Sequence, residues 1–151
     1  GGFAEYTTTP ARNALVVTSD LSDAELATFS CSYSTAEGML TRAQVGPDDT
    51  VLIPGASGGV GGALVQLAKR RGARVIAMAS DTKHKDVAVL FPDKILPRAP
   101  ENLRVALGDE KITVVADIVG GPYWPALIDV LERGGRYTCS GAIAGPIVEL
   151  D

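Results

Sequence analysis

Aromatic side chains are scarce in this sequence, at 5% of its 151 residues, and it holds two cysteines and one histidine. Cys31 and Cys139 lie far apart and offer neither metal-ligand spacing nor a disulfide framework. Both read as buried thiols of a reducing compartment. With His84 as the only histidine, no metal site is expected in this chain. Basic residues do not predominate: the net charge is −4, which leaves no basic footprint for a nucleic-acid partner. No apolar run approaches the roughly 18 residues needed to span a bilayer. No signal-peptide pattern opens the chain. The expectation is therefore a cytoplasmic protein with neither nucleic-acid nor membrane partners. The chain opens on Gly1-Gly2-Phe3 without a methionine, so it is expected to be part of a longer protein.

Hydrophobic residues make up 46% of the chain. Ala and Val dominate them, which suits a buried parallel sheet covered by helices. Phe3 to Thr8 and Ala14 to Val17 read as short strands separated by Pro10. Ser22-x-x-Glu25 is a capping-box signal that opens a helix at about Asp23. Helix resumes after a run of small residues and reaches about Ala43, and Gly46-Pro47-Asp48-Asp49 is a turn. From there strands and helices alternate. Strands are expected at Thr50 to Ile53, Arg74 to Ala79, Asp93 to Leu96, Ile112 to Ile118 and Arg136 to Ser140. Helices are expected at Gly61 to Arg71, in a short stretch before Asp93, at Glu101 to Leu107, and at Tyr123 to Leu131. Such alternation implies right-handed crossovers and an α/β, doubly wound parallel sheet of the Rossmann type. Five strands follow Thr50 where a full dinucleotide fold has six, so the last strand is expected beyond Asp151.

The chemistry-bearing run is Gly55-Ala56-Ser57-Gly58-Gly59-Val60-Gly61. It follows an apolar strand and opens an amphipathic helix, the setting in which a glycine-rich turn binds a dinucleotide. Gly58 and Gly59 are expected to let the backbone approach a pyrophosphate, and Gly61 to let the helix pack on the sheet. Free amides at the helix start, aided by the helix dipole, would face the phosphate oxygens. No Lys-Ser/Thr pair follows, so this is not a nucleoside-triphosphate loop. An NAD site usually ends its second strand on Asp or Glu. Here Ala79 and Ser80 stand there, with Asp81 two residues too late, and Lys83 close by. That favours the 2′-phosphate of NADP(H) over NAD(H). Lys83 reads either as a phosphate ligand or as a solvated helix start; Lys85 and His84 read as solvated.

Together these segments resemble the medium-chain dehydrogenase/reductase superfamily. The resemblance is carried by Gly2-Phe3-Ala4-Glu5-Tyr6, Ser32-Tyr33-Ser34-Thr35-Ala36, the glycine turn, Asp117-Ile118-Val119-Gly120-Gly121 and Gly134-Gly135-Arg136-Tyr137. It is strongest for the quinone-oxidoreductase-like and zinc-type alcohol dehydrogenase-like branches. The resemblance implies a two-domain enzyme in which residues 1–20 are the tail of a catalytic domain and 21–151 form the dinucleotide-binding domain. It implies that Thr35 lies near the nicotinamide, that Val119 and Gly120 run close to the cofactor, and that Ser140, Gly141 and Ala142 lie beside the nicotinamide ring. Thr35 also reads as a helix cap, and Gly120-Gly121 as a turn alone. The family's zinc ligands fall mostly outside this span, so zinc use by the longer protein stays open.

The implied activity is hydride transfer to or from a carbonyl, quinone, enone or alcohol, with no catalytic residue inside this chain. A non-catalytic dinucleotide module (a redox sensor or a crystallin-like binder) and an enoyl reductase module of a synthase are the alternatives. A short-chain reductase is excluded, because that class needs Tyr-x-x-x-Lys. Four residues after Tyr6, Tyr33, Tyr123 and Tyr137 stand Pro10, Glu37, Leu127 and Gly141. If the sixth strand is absent, the fifth is an open sheet edge that invites pairing with a second copy. A homodimer is expected in light scattering; a monodisperse monomer contradicts this.

Overall fold

The computed structural model describes residues 3–149. Gly1 and Gly2, in the expected catalytic-domain tail, and Leu150 and Asp151, at the end of the expected dinucleotide-binding domain, lie outside the described residues. Five parallel strands form one sheet: β1 (Thr50–Pro54), β2 (Arg74–Ala79), β3 (Lys94–Pro97), β4 (Ile112–Asp117) and β5 (Leu131–Cys139). Their order is β3-β2-β1-β4-β5. The helices are α1 (Asp23–Ala27), α2 (Phe29–Arg42), α3 (Gly59–Arg70), α4 (His84–Ala88), α5 (Leu103–Leu107) and α6 (Trp124–Asp129). This is the expected α/β fold. The connection direction reverses between β1 and β4, and ligands of such sheets bind in the crevice outside the carboxyl ends of the strands there.

Apolar residues alternate between the two faces of the central strands. Val51, Ile53, Val75, Ala77 and Val114 join Leu40, Leu64, Val65 and Val87 in one core, beneath α2, α3 and α4. Leu52, Ile76, Met78 and Val115 join Leu103, Leu107 and Leu127 in the other, beneath α5 and α6. Small Ala side chains on the first face let α3 lie close to the sheet, as the composition suggests. Among the described residues no helix is long and apolar enough to cross a membrane.

Several expectations need correction. Phe3 to Thr8 and Ala14 to Val17 form no strand. Residues 3–25 are all exposed, including Phe3, Tyr6, Leu15 and Val16. A lone extended segment gains nothing from being apolar unless a neighbouring strand takes up its backbone groups. Cys31 and Cys139 are exposed rather than buried: Cys31 lies on an outward face of α2, and Cys139 ends the edge strand. His84 is only partly solvated, because its Nε2 lies 3.1 Å from the Ala79 carbonyl. β5 starts at Leu131, where helix was expected, and its register on β4 shifts between Ile112 and Val114. The helix α3 starts at Gly59, two residues early. The capping box is present, with Ser22 and Glu25 bonded reciprocally.

The amino end of the sheet is tied by Asp49, one of two buried charged residues among those described. Its carboxylate accepts from the Thr113 hydroxyl at 2.7 Å, from the Gly46 amide at 2.9 Å, and from the Arg136 guanidinium. Arg136 also donates to the Ala43 carbonyl at the end of α2, at 2.9 Å. β1, β4, β5 and α2 therefore meet on one carboxylate. Burial pushes the Asp49 carboxyl up, but the Gly46 amide, the Thr113 hydroxyl and the Arg136 charge outweigh it and hold the group below the usual carboxylate range. A depressed native value means the carboxylate stabilises the fold above its ordinary unfolded value and loses that contribution as pH falls through the native one. Asp49→Asn is expected to cost about 3 kcal/mol in urea unfolding at neutral pH. The gap between variant and wild type should shrink below about pH 4. A gap independent of pH contradicts this account of the network.

Candidate dinucleotide site

The glycine turn sits where the sheet order reverses. Gly55 leaves β1 with φ of +70°, and its would-be Cβ would lie 2.9 Å from Val119 Cγ2. A Cβ on Gly61 would lie 2.1 Å from the Gly55 carbonyl oxygen and 2.8 Å from Ala56 Cα, both backbone atoms. Only glycine lets α3 start this close to the end of β1. The Ala56 amide donates to the Met78 carbonyl at 3.0 Å, anchoring the turn to β2. Gly58 is the N-cap and provides no side-chain cap. The first intrahelical bond runs from the Gly62 amide to the Gly58 carbonyl at 2.7 Å. The amides of Gly59, Val60 and Gly61, ahead of it, belong to the donors that a helix cannot satisfy internally.

A cavity of about 210 Å³ opens beside this helix start, lined by Gly55, Ser57, Gly58, Ala79, Ser80, Arg98, Ile118, Val119 and Ile143. A more apolar neighbour of about 170 Å³ shares Gly55, Arg98 and Val119 as wall and adds Pro54, Gly120, Tyr123 and Ala144. The nearest atoms to a Cβ placed on Gly58 are the Gly55 oxygen at 3.5 Å and Ile118 Cδ1 at 3.9 Å. That is ordinary van der Waals spacing. The protein leaves the space beside Gly58 free, and a backbone cradle of this kind fits a pyrophosphate.

Of the residues singled out from sequence, Gly55, Ser57, Gly58, Ser80 and Val119 share the first cavity, and Gly120 lines the second. Thr35 and Ser140 come together elsewhere, in a polar cavity of about 290 Å³ between α2 and the end of β5, with Ser34, Arg42, Thr138 and Cys139. Ala56 and Gly59 border a third cavity on the outer side of the turn, beside Tyr33 and Gln66. A Cβ on Gly59 would lie 2.7 Å from Ser32 Oγ, so its smallness also lets α2 lie against the helix start. Gly141 and Ala142 interlock with the neighbouring loop: a Cβ on Gly141 would lie 3.0 Å from the Ile118 oxygen, and Ala142 Cα sits 3.3 Å from the Cβ position of Gly120. Lys83 pairs with Asp86 at 3.0 Å on the exposed surface. Arg98, just after β3, borders both cavities at the glycine turn. Sequence reading passed over it because it lies eighteen residues beyond Ser80, and only the pairing of β2 with β3 brings the two strand ends together.

Zinc is the metal that the resemblance raises. Among the described residues no three His, Cys, Asp or Glu side chains gather to hold an ion. The glycines give a test of the cradle. Gly58→Val is expected to fold normally but to bind no dinucleotide, because its branches project into the cavity beside the glycine turn. Gly61→Ala is expected to lose several kcal/mol of stability, about 3 or more, through its backbone clash. Thermal melts and a dinucleotide titration read both. Retained binding by Gly58→Val removes the cradle, and normal stability of Gly61→Ala removes the packing argument.

Comparison with known proteins places the chain. The family model described as "Zinc-binding dehydrogenase" matches residues 59–151. A zinc-type alcohol dehydrogenase-like protein of Schizosaccharomyces pombe is 34% identical over 90% of this chain and 40% of its own length. Erythronolide synthase of Saccharopolyspora erythraea is 32% identical over 93% of this chain and 4% of its own length. A crystal structure of a Sinorhizobium meliloti protein assigned as an alcohol dehydrogenase superposes with a TM-score of 0.92 at 49% identity, over all of this chain and 43% of that one. A mycobacterial protein complexed with NADPH superposes with a TM-score of 0.83 at 29% identity, over 95% of this chain and 46% of that one. The chain spans about two fifths of the S. pombe protein's length. It belongs to the zinc-binding dehydrogenase family of the medium-chain dehydrogenase/reductase superfamily.

Proposed function

We propose that this chain is the dinucleotide-binding domain of an oxidoreductase that takes NADP(H) in preference to NAD(H). In the whole enzyme, hydride would pass to or from a carbonyl, quinone, enone or alcohol. One observation carries the reading: the uncapped start of α3 opens on a cavity that also holds Ser80 and Arg98. A bound nicotinamide ring would supply the hydride chemistry. The chain's own residues would bind and orient. The amides at the start of α3 would hold the pyrophosphate, Val119 and Gly120 would form one wall, and Thr35 and Ser140 would face the nicotinamide end. This chain contributes no catalytic acid or base to the reading.

The NADP(H) preference rests on the end of β2. It finishes on Ala79 and Ser80, and Asp81 turns toward His84, 3.6 Å away, with its carboxylate exposed. Arg98 offers a fork of donors in the same cavity as Ser80, suited to a phosphate. Residues 1–20 fit the tail of a catalytic domain, since their apolar Phe3, Tyr6, Leu15 and Val16 are exposed. Among the described residues β5 pairs only with β4, an edge on which a second copy could add a strand in a homodimer, and two free thiols suit a reducing cytoplasm. Likeness to erythronolide synthase favours a second reading, an enoyl reductase module within a synthase; carrier or synthase domains encoded beside this chain would decide for it.

NADPH is expected to raise the melting temperature of the chain more than NADH does. Arg98→Gln should weaken NADPH by about tenfold while leaving NADH nearly unchanged. Lys83→Gln should change neither. Equal or reversed shifts in the wild type contradict the NADP(H) preference, and an Arg98→Gln variant with its preference intact moves the phosphate away from Arg98.

A further inference from the structure

Two loops wall the cleft on its β5 side, residues 118–121 after β4 and 140–145 after β5. They meet backbone to backbone. The Ser140 amide donates to the Asp117 carbonyl at 3.0 Å, and the Ala144 amide donates to the Val119 carbonyl at 2.8 Å. A Cβ on Gly121 would lie 2.6 Å from the Ala144 oxygen, so neither loop has slack toward the other.

Beneath them lies Asp117, with no exposed surface and no cation bonded to it among the described residues. Its Oδ1 accepts from the Val119 amide at 2.7 Å, and both its oxygens accept from the Gly120 amide, at 3.2 and 3.1 Å. The Tyr137 hydroxyl donates to Oδ2 at 2.6 Å. Tyr137 lies on β5, opposite Val115 of β4, and its ring meets Trp124 of α6 edge-on at 6.1 Å between centroids. Burial, then the hydrogen bond and charge of Asp117, push the Tyr137 phenol well above its ordinary value. It stays a donor throughout the working pH range.

A buried carboxylate is costly unless its oxygens are satisfied. Here every bond it accepts comes from the turn that presents Val119 and Gly120 to the cleft, or from the strand that carries the second loop. An interior anion placed only to stabilise the fold has cheaper replacements, since apolar packing serves as well or better. This one fixes the shape of a single turn.

We infer that Asp117 and Tyr137 are positioning residues: a latch across the carboxyl ends of β4 and β5 that holds Val119 and Gly120 in place and so sets dinucleotide affinity. The inference rests on the binding site proposed above. Tyr137 and Asp117 do not line either cavity at the glycine turn; they act through the loop.

Calorimetric titration with NADPH, at a temperature where every variant is folded by circular dichroism, tests this. Tyr137→Phe keeps the ring against Trp124 and removes the donor. It should weaken NADPH by about tenfold, with faster amide hydrogen exchange at Val119 and Gly120. Asp49→Asn loosens the opposite end of the same strand seam, far from the cleft, and should leave NADPH affinity within about twofold. Should Tyr137→Phe fail to fold, Asp117→Asn carries the test. Its amide group turns a donor toward the phenol and should give the same direction of loss. A wild-type chain that binds no dinucleotide overturns the site reading itself. Wild-type binding with unchanged affinity in the latch variant, or with an equal loss in Asp49→Asn, overturns the latch alone.

Discussion

The fold and the candidate site both hang on how closely α3 approaches the end of β1. Gly61 lies so near the Gly55 carbonyl that any side chain would overlap backbone. Because of that approach, the helix begins within the turn itself, and its first amides point out past the carboxyl end of the sheet with no side chain to cap them. A longer turn, or a capping Ser or Asp, would satisfy those donors internally and close the cradle. The same geometry lets Gly55 press against Val119 from the loop after β4, so the glycine turn and the wall of the cleft are built from one contact.

Two buried carboxylates hold the seam between β4 and its neighbours, one at each end. Asp49 gathers β1, β4, β5 and α2 at the amino end, through Thr113 and Arg136. Asp117 gathers the two loops at the carboxyl end, through main-chain amides and Tyr137. The first is balanced by a guanidinium and belongs to stability. The second is balanced by neutral donors from the segments that shape the cleft. This division follows the general layout of open parallel sheets, in which the carboxyl ends of the strands bear the ligand and the amino ends do not.

Most of the sheet was legible from sequence because its apolar runs are short, Val-rich and separated by helical periodicity. The glycine turn was legible because its setting, strand before and helix after, is local. What escaped depended on pairing across the chain. Phe3 to Thr8 carries strand-like residues, yet strands form only where a partner accepts the ladder, and none lies beside it among the described residues. Arg98 joins Ser80 only through the β2–β3 register, and nothing local reveals that Ser32 of α2 lies against Gly59. Lys83 is near the end of β2 in sequence, and in the structure its ammonium pairs with Asp86. In sequence Asp117 carries only part of a family pattern, because the Val119 and Gly120 amides that bond to it depend on how the loop folds back.

The central claim is that phosphate oxygens of a dinucleotide sit on the start of α3. Titrating NADPH into the isotopically labelled chain, with amide chemical shifts followed residue by residue, tests this most directly. Saturable shifts are expected at Gly59, Val60, Gly61 and Val119, with Ser80 following and with the amides at the amino end of β1 unmoved. Saturable binding that leaves Gly59 to Gly61 unshifted, or no binding at all, would contradict it.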